Sequence, residues 1–262
     1  MGAPTSYRVT ARNLAVDSDN KIHDDDVAAR LGFAGGLVPG VELFAYAAHP
    51  FAAAWGEEFL GAGRLQVRFR KPVYDGDDVD VVPAAEGDRW NVTLTVGRDE
   101  PRAVGTAEAH AAAAKLRQPY EPTPLPSRLH PTAGELPAGP LGSVSEPADR
   151  ARHDDYLDGI SETHPLFRAD GVIHPGALLR MVNNVLMQNV DLGPWIHTSS
   201  DCRFLAPARV PSTLQCHGVV TECFERNGNA YVRYDALVTS DGRPVAEVDH
   251  TAIYRLAGAT AG

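Results

Sequence analysis

The segment Ser18-Asp19-Asn20-Lys21-Ile22-His23-Asp24-Asp25 places an imidazole, a carboxamide, a hydroxyl and three carboxylates within eight positions. Histidine titrates near neutrality, so His23 has the chemistry of a proton carrier, although a histidine in a polar loop is also an ordinary solvated residue. The run Asp24-Asp25-Asp26 ahead of Val27-Ala28-Ala29 reads first as a helix start, where carboxylates take backbone N–H groups and complement the dipole. Ser18 lies in no Gly-x-Ser-x-Gly elbow, and a lone hydroxyl is no base at neutral pH, so it reads as a turn or hydrogen-bonding residue. Val38-Pro39-Gly40 precedes a long apolar stretch, and the unpaired N–H groups at such a start suit an oxygen that gathers negative charge. A second set lies downstream, with His164 in Glu162-Thr163-His164-Pro165 and His174 in His174-Pro175-Gly176. Arg68, Arg70 and Lys71 offer cations to phosphate groups, yet they also fit the wet side of a strand.

These residues need elements to hold them, and the chain repeats itself in supplying them. Val38-Pro39-Gly40, an apolar stretch and Arg68-Phe69-Arg70-Lys71-Pro72 are matched by His174-Pro175-Gly176, an apolar stretch and Arg203-Phe204-Leu205-Ala206-Pro207. Gly40 and Phe69 are 29 positions apart, and Gly176 and Phe204 are 28 apart, so one architecture is used twice. Leu178, Met181, Val182, Val185 and Leu186 recur at helical spacing, with Asn183, Asn184 and Gln188 beside them. The stretch from Val41 to about Leu60 is apolar nearly all round, and Pro50 is expected to kink or divide it. Period-two alternation at Leu65, Val67, Phe69, at Trp90, Val92, Leu94, Val96 and at Val232, Tyr234, Ala236, Val238 predicts antiparallel strands with one packed face. Asn227-Gly228 and Asp241-Gly242 suit hairpin turns. A long apolar helix followed by an antiparallel meander, twice, implies an α+β double hotdog, two antiparallel sheets each wrapped around a central helix. The expected organisation is residues 1–116, a proline-rich linker over 117–150, and residues 151–262.

The first half resembles the MaoC-like, R-specific enoyl-CoA hydratase/dehydratase group. That signature runs Asp-x-Asn-Pro-x-His-x-Asp, then Ala, Gly-Phe, a hydrophobic pair and His-Gly at the start of the central helix. Asn20, His23, Asp25, Ala28, Gly32, Phe33 and Gly40 match it, within a resemblance that covers much of residues 7–113. The resemblance implies His23 as catalytic acid/base, Asn20 as the residue that orients the site, and the Gly40 amide as donor to a thioester carbonyl, with Pro39 beside it. Three positions depart from it. Ser18 stands where the family carries its catalytic aspartate, Lys21 stands at the proline position and Pro39 at the helix-start histidine. Asp17, Asp19 and Asp24 are substitutes for the aspartate if the loop is shifted, so Ser18 and Asp19 join the catalytic candidates. The second half also resembles hotdog acyl-carrier dehydratases at its Pro-Gly helix start, but Met181 stands five places after Gly176, where those enzymes carry an acid. His164, His174 and Gly176 are its candidate substrate-binding residues. In tandem hotdogs one half commonly shapes an acyl tunnel.

The implied function is a lyase, hydratase or dehydratase, acting on 2-enoyl or 3-hydroxyacyl groups carried on CoA or a carrier protein. The alternatives are a non-catalytic protein that binds acyl-CoA or an apolar ligand, a thioesterase, or a specialised biosynthetic enzyme on the same fold. No cofactor and no metal are expected, since no nucleotide loop and no metal-type cysteine spacing is present. Cys202, Cys216 and Cys223 are expected reduced and buried. A net charge of -10 opposes nucleic-acid binding, and no apolar run reaches the roughly 20 residues of a membrane helix. The N-terminus lacks an apolar signal region, so a cytoplasmic location is expected. A homodimer is common in the family.

Overall fold

The computed structural model describes residues 2–98, 100–111, 123–124, 127–131 and 136–257. The first half contributes strand β1 (Tyr7–Thr10), a short 3-10 turn (Lys21–His23) and helix α1 (Asp25–Arg30). It continues with the long helix α2 (Gly40–Ala62) and strands β2 (Arg64–Phe69), β3 (Asp78–Glu86), β4 (Arg89–Val96) and β5 (Ala103–Glu108). The second half contributes β6 (Gly139–Pro140), β7 (Val144–Ala148), helices α3 (Arg150–Gly159), α4 (Pro165–Arg168) and α5 (Pro175–Asn189), and strands β8 (Ile196–Phe204), β9 (Ser212–Arg226), β10 (Asn229–Ser240) and β11 (Arg243–Arg255).

The repeat read from the sequence is a repeat of topology. In the first half the strands run β1-β3-β4-β5-β2 across the sheet, and in the second β9-β10-β11-β8, with β7 pairing β9 as β1 pairs β3. Among the described residues the named strands pair antiparallel throughout, and an isolated bridge between Leu129 and Val190 is parallel. The two expected sheets join edge to edge, because β2 pairs β8 with Leu65 opposite Cys202 and Val67 opposite Ser200, giving one 11-stranded sheet. An edge that would otherwise present unpaired backbone groups is thereby closed. Arg64 Nε and Nη2 meet Asp201 Oδ1 and Oδ2 at 2.7 and 2.5 Å across this seam.

The linker expectation needs correction. β6 and β7 lie inside residues 117–150, yet both are laddered to β9, so the second unit begins before residue 151. Pro147 is tolerated there because β7 bonds to one strand only. The boundary near residue 116 lies outside the described residues.

Both central helices lie on the sheet with their apolar residues buried. The α5 stripe of Leu178, Met181, Val182, Val185 and Leu186 is at most 5% exposed. α2 reaches across the seam, where Phe59 meets Phe204 edge-on at 5.0 Å. The break expected at Pro50 falls at Gly56, whose φ of 58° and ψ of -142° are non-helical. Pro50 has no N–H for the Tyr46 carbonyl, and the Tyr7 hydroxyl fills the gap, donating to that oxygen at 2.9 Å. Asn227, Gly228, Asp241 and Gly242 all take positive φ, as two-residue hairpin turns demand. Cys202 and Cys216 are buried free thiols, and Cys223 is half-buried.

Removing the Tyr7 hydroxyl leaves the Tyr46 carbonyl unpaired. Tyr7→Phe is expected to lower the unfolding free energy by about 1 to 3 kcal/mol in denaturant titration, and adding Pro50→Ala, which restores an N–H donor, to recover part of the loss.

Candidate functional site

His23 sits at the end of the 3-10 turn, which Asn20 caps by accepting from Ile22 N. Its Nδ1 lies 2.6 Å from the Leu37 carbonyl oxygen. A carbonyl only accepts, so Nδ1 carries the proton and Nε2 is left with a lone pair. Asn20 Nδ2 faces that nitrogen at 3.2 Å as donor. Burial pushes the His23 pKa down, opposed by the Leu37 bond, so the ring is a neutral base at neutral pH.

Asn20 does a second task. Its Nδ2 donates to the Trp195 carbonyl at 3.0 Å and its Oδ1 accepts from Trp195 N at 3.1 Å. The side chain thus pairs with a backbone unit 175 positions away, fixing the His23 loop against the second half. Ser18 makes no such contact. Its hydroxyl donates to the Asn20 carbonyl at 3.2 Å, which confines it to its own turn. Asp19 is exposed, and Asp24 caps α1 by accepting from Val27 N at 2.9 Å, as a helix start requires. Asp25 accepts from Gly36 N at 2.7 Å. Among the described residues no carboxylate is hydrogen-bonded to His23.

His23, Asn20, Pro39 and Gly40 are brought together on the wall of a cavity of about 530 Å³. Ile22, Leu37, Val38, Leu43 and Phe69 supply apolar parts of its lining. Pro39 caps α2 without a side-chain bond, and no acceptor among the described residues takes the Gly40 N–H. Gly40 has no room for a side chain, since a Cβ there would lie 2.6 Å from His197 Nδ1 and 3.1 Å from Phe69 Cε2. Arg68, Arg70, Lys71, Arg226 and Arg233 rim the opening, a local cationic patch on a chain of net charge -10. Lys71 pairs with Glu100 and Arg233 with Glu222. A second chamber, of about 580 Å³, adjoins the first through Asn20, His23, Pro39, Asn183 and Trp195, and Ser18 lies on its wall.

The second-half candidates are elsewhere. His164, His174 and Gly176 do not line the His23 cavity. His174 is 0% exposed and caps α5, its Nδ1 accepting from Gly176 N at 3.2 Å, so the amide that matches Gly40 is already occupied. Its Nε2 lies 3.4 Å from Glu162 Oε2, and His49 Nδ1 lies 2.7 Å from the same oxygen. Burial pushes the Glu162 carboxyl up, but the bonds to His174 and His49 outweigh it and hold the carboxyl well below its usual range. His164 caps α4 through its Nδ1, which accepts from Leu166 N at 3.3 Å.

Sequence reasoning missed the second half's share of the cavity, namely Asn183, Trp195, His197, Arg226 and Arg233. One signal was present. His250 occupies an inward position after Ala246 and Val248 in β11, where alternation calls for an apolar residue, and its ring stacks on His197 at 4.1 Å.

No family model matches the chain, and no curated protein matches its sequence. Solved structures do match its shape. A protein assigned as a MaoC domain dehydratase from Chloroflexus aurantiacus J-10-fl superposes with a TM-score of 0.63 at 12% identity, over 98% of this chain and 96% of that one. A conserved Mycobacterium tuberculosis protein described as having a double hotdog fold superposes with a TM-score of 0.60 at 13% identity, over 97% and 96%. The fold is a double hotdog. A protein assigned as thioesterase II from Thermobifida fusca YX reaches a TM-score of 0.51 at 17% identity, over 84% and 88%. At such identities the likeness establishes this double hotdog's architecture, and its chemistry has to be argued from the site. Among the described residues no helix of the double hotdog is long and apolar enough to cross a membrane.

Burial holds His174, His197 and His250 neutral, with His197 pushed down to about 3. Below pH of about 6.5 the unfolded chain binds protons that the folded chain refuses, so stability is full above that value and falls as pH drops. His197 alone contributes a slope of about 1.4 kcal/mol per pH unit. Denaturant titrations at pH 7.5 and 5.0 are expected to show the loss, with a smaller difference in His197→Gln.

Proposed function

We propose that the chain is an acyl-thioester hydratase/dehydratase acting on 2-enoyl or 3-hydroxyacyl groups, with His23 as its acid/base. The observation that carries this reading is the fixed His23 tautomer. The imidazole Nε2 borders a cavity that also holds the free N–H of the first residue of α2. A base and a donor to a developing enolate oxygen are the two groups that addition of water across an activated double bond requires.

In the hydration direction, the Asn20 amide yields its bond at His23 Nε2 to the bound water, and Nε2 takes a proton from that water as the water oxygen bonds to C3 and the π electrons move toward the thioester oxygen. The Gly40 N–H holds that oxygen while it carries charge, aided by the positive end of the α2 dipole. The imidazolium then gives its proton to C2, which restores neutral His23 and balances the addition. Asn20, held by Trp195, orients the imidazole. One imidazole serving both transfers fits a site in which Ser18 is turned into its own loop. The rim of Arg68, Arg70, Lys71, Arg226 and Arg233 suits the phosphates of CoA or the acidic face of a carrier protein.

The confinement of Ser18 also favours a second reading, a double hotdog that binds acyl thioesters without converting them. Turnover of a panel of 2-enoyl-CoA and 3-hydroxyacyl-CoA thioesters separates the two, followed by conjugated-enoyl absorbance with free-thiol release in parallel. We expect His23→Ala to reduce turnover by about 10²- to 10⁴-fold with thermal melting little changed. Unchanged turnover would remove His23 from the chemistry. Thiol release without enoyl conversion would make the protein a thioesterase, and ligand-induced stabilisation with no conversion would make it a binding protein.

A further inference from the structure

One wall of the cavity carries an imidazole that the resemblance does not supply. His197 lies on β8 at 6% exposure and lines the cavity. In a regular strand residues 197 and 200 would face opposite sides. β8 is bulged, since Thr251 pairs with Ser199 while Ala252 pairs with His197, and Thr198 is left over. The bulge turns His197 and Ser200 to the same interior.

Three groups then share two hydrogen bonds. Ser200 Oγ lies 2.8 Å from His197 Nε2 and 2.9 Å from His250 Nδ1, and the rings are stacked with 23° between their planes. A hydroxyl has one proton, so Ser200 donates to one imidazole and accepts from the other. The outer nitrogens, His197 Nδ1 and His250 Nε2, are therefore opposite in kind, and both are buried without a partner. His197 Nδ1 is directed at the start of α2, where a Cβ on Gly40 would lie 2.6 Å from it.

We propose that His197 Nδ1–H is a second oxyanion donor, acting beside the Gly40 N–H on the carbonyl oxygen of a bound acyl thioester. The inference rests on the acyl-thioester reading of the cavity. In this arrangement Ser200 donates to His197 Nε2 and accepts from His250 Nδ1–H, which leaves the Nδ1 proton of His197 facing the substrate. No bond at His197 forms or breaks, and its proton stays on Nδ1. Its bond to the oxygen strengthens as the enolate develops, whereas a bond to the ground-state carbonyl is ordinary. His197 is thus a catalytic residue, and Ser200 and His250 are positioning residues that set its tautomer.

The test uses the full chain and two probes, butyryl-CoA and the butyl-CoA thioether that lacks the carbonyl, with dissociation constants from calorimetry. Wild type is expected to prefer the thioester by about tenfold. The preference should fall by several-fold in His197→Phe, which leaves only the Gly40 N–H, and return in part in His197→Gln, which has a donor. On a turned-over thioester, His197→Phe should lower kcat by about 10²-fold with KM little affected. Should His197→Phe fail to fold, Ser200→Ala makes the same comparison by releasing the tautomer, with Ser200→Thr as the rescue. A preference undiminished in a folded His197→Phe would overturn the proposal and leave the thioester reading standing. Failure of wild type to bind either probe would overturn both.

Discussion

The antiparallel pairing of β2 with β8 is the constraint on which the rest depends. It fuses two similar units into one sheet, removes an open edge from each, and sets the register in which Leu65 faces Cys202. The two central helices lie over that sheet, and α2 reaches across to pack Phe59 on Phe204. The same pairing carries β8 past the start of α2. Trp195 can then meet Asn20 and His197 can meet Gly40, so the cavity belongs to neither unit alone.

A duplicated architecture has been put to unequal use, and the two helix starts show how. At α5, His174 spends its Nδ1 on the Gly176 amide and is buried against Glu162, which His49 also engages. In that corner the imidazoles are engaged by a helix amide and a shared carboxylate. At α2, Val38 stands where the second copy has His174, and it offers no acceptor. The Gly40 amide stays free at the positive end of α2 beside a cavity of mixed polar and apolar lining. A single change of side-chain type separates a capped helix from a donor site. Burial works the same way on the imidazoles, because a low-dielectric wall keeps His23 and His197 neutral and therefore able to accept or donate without carrying charge.

Much of the fold was legible because it rests on periodicity. The α5 stripe, the alternation in β2 and β10 and the Asn-Gly and Asp-Gly turns are local patterns, and each took the form its spacing demanded. Where a local rule met tertiary context it gave way. Pro50 was expected to break α2, but the Tyr7 hydroxyl satisfies the carbonyl that proline orphans, and the break moved to Gly56. Prolines between 117 and 150 were read as a connector, yet Pro147 lies in an edge strand that tolerates a missing N–H.

For the candidate site, it was the family resemblance that pointed to Asn20, His23, Pro39 and Gly40, and these line one cavity because they lie in one loop and the helix it feeds. The same resemblance set Ser18 at the position where that family carries its aspartate. Only the tertiary structure decided which nitrogen of His23 holds the proton, because that depends on the Leu37 carbonyl fourteen positions away. It alone brought His197, Ser200 and His250 together, through a bulge and a strand pairing that join residues 50 positions apart. Short-range pattern reports which face of an element is buried. What that face is buried against is set by long-range pairing, and the chemistry of this cavity lies in that pairing.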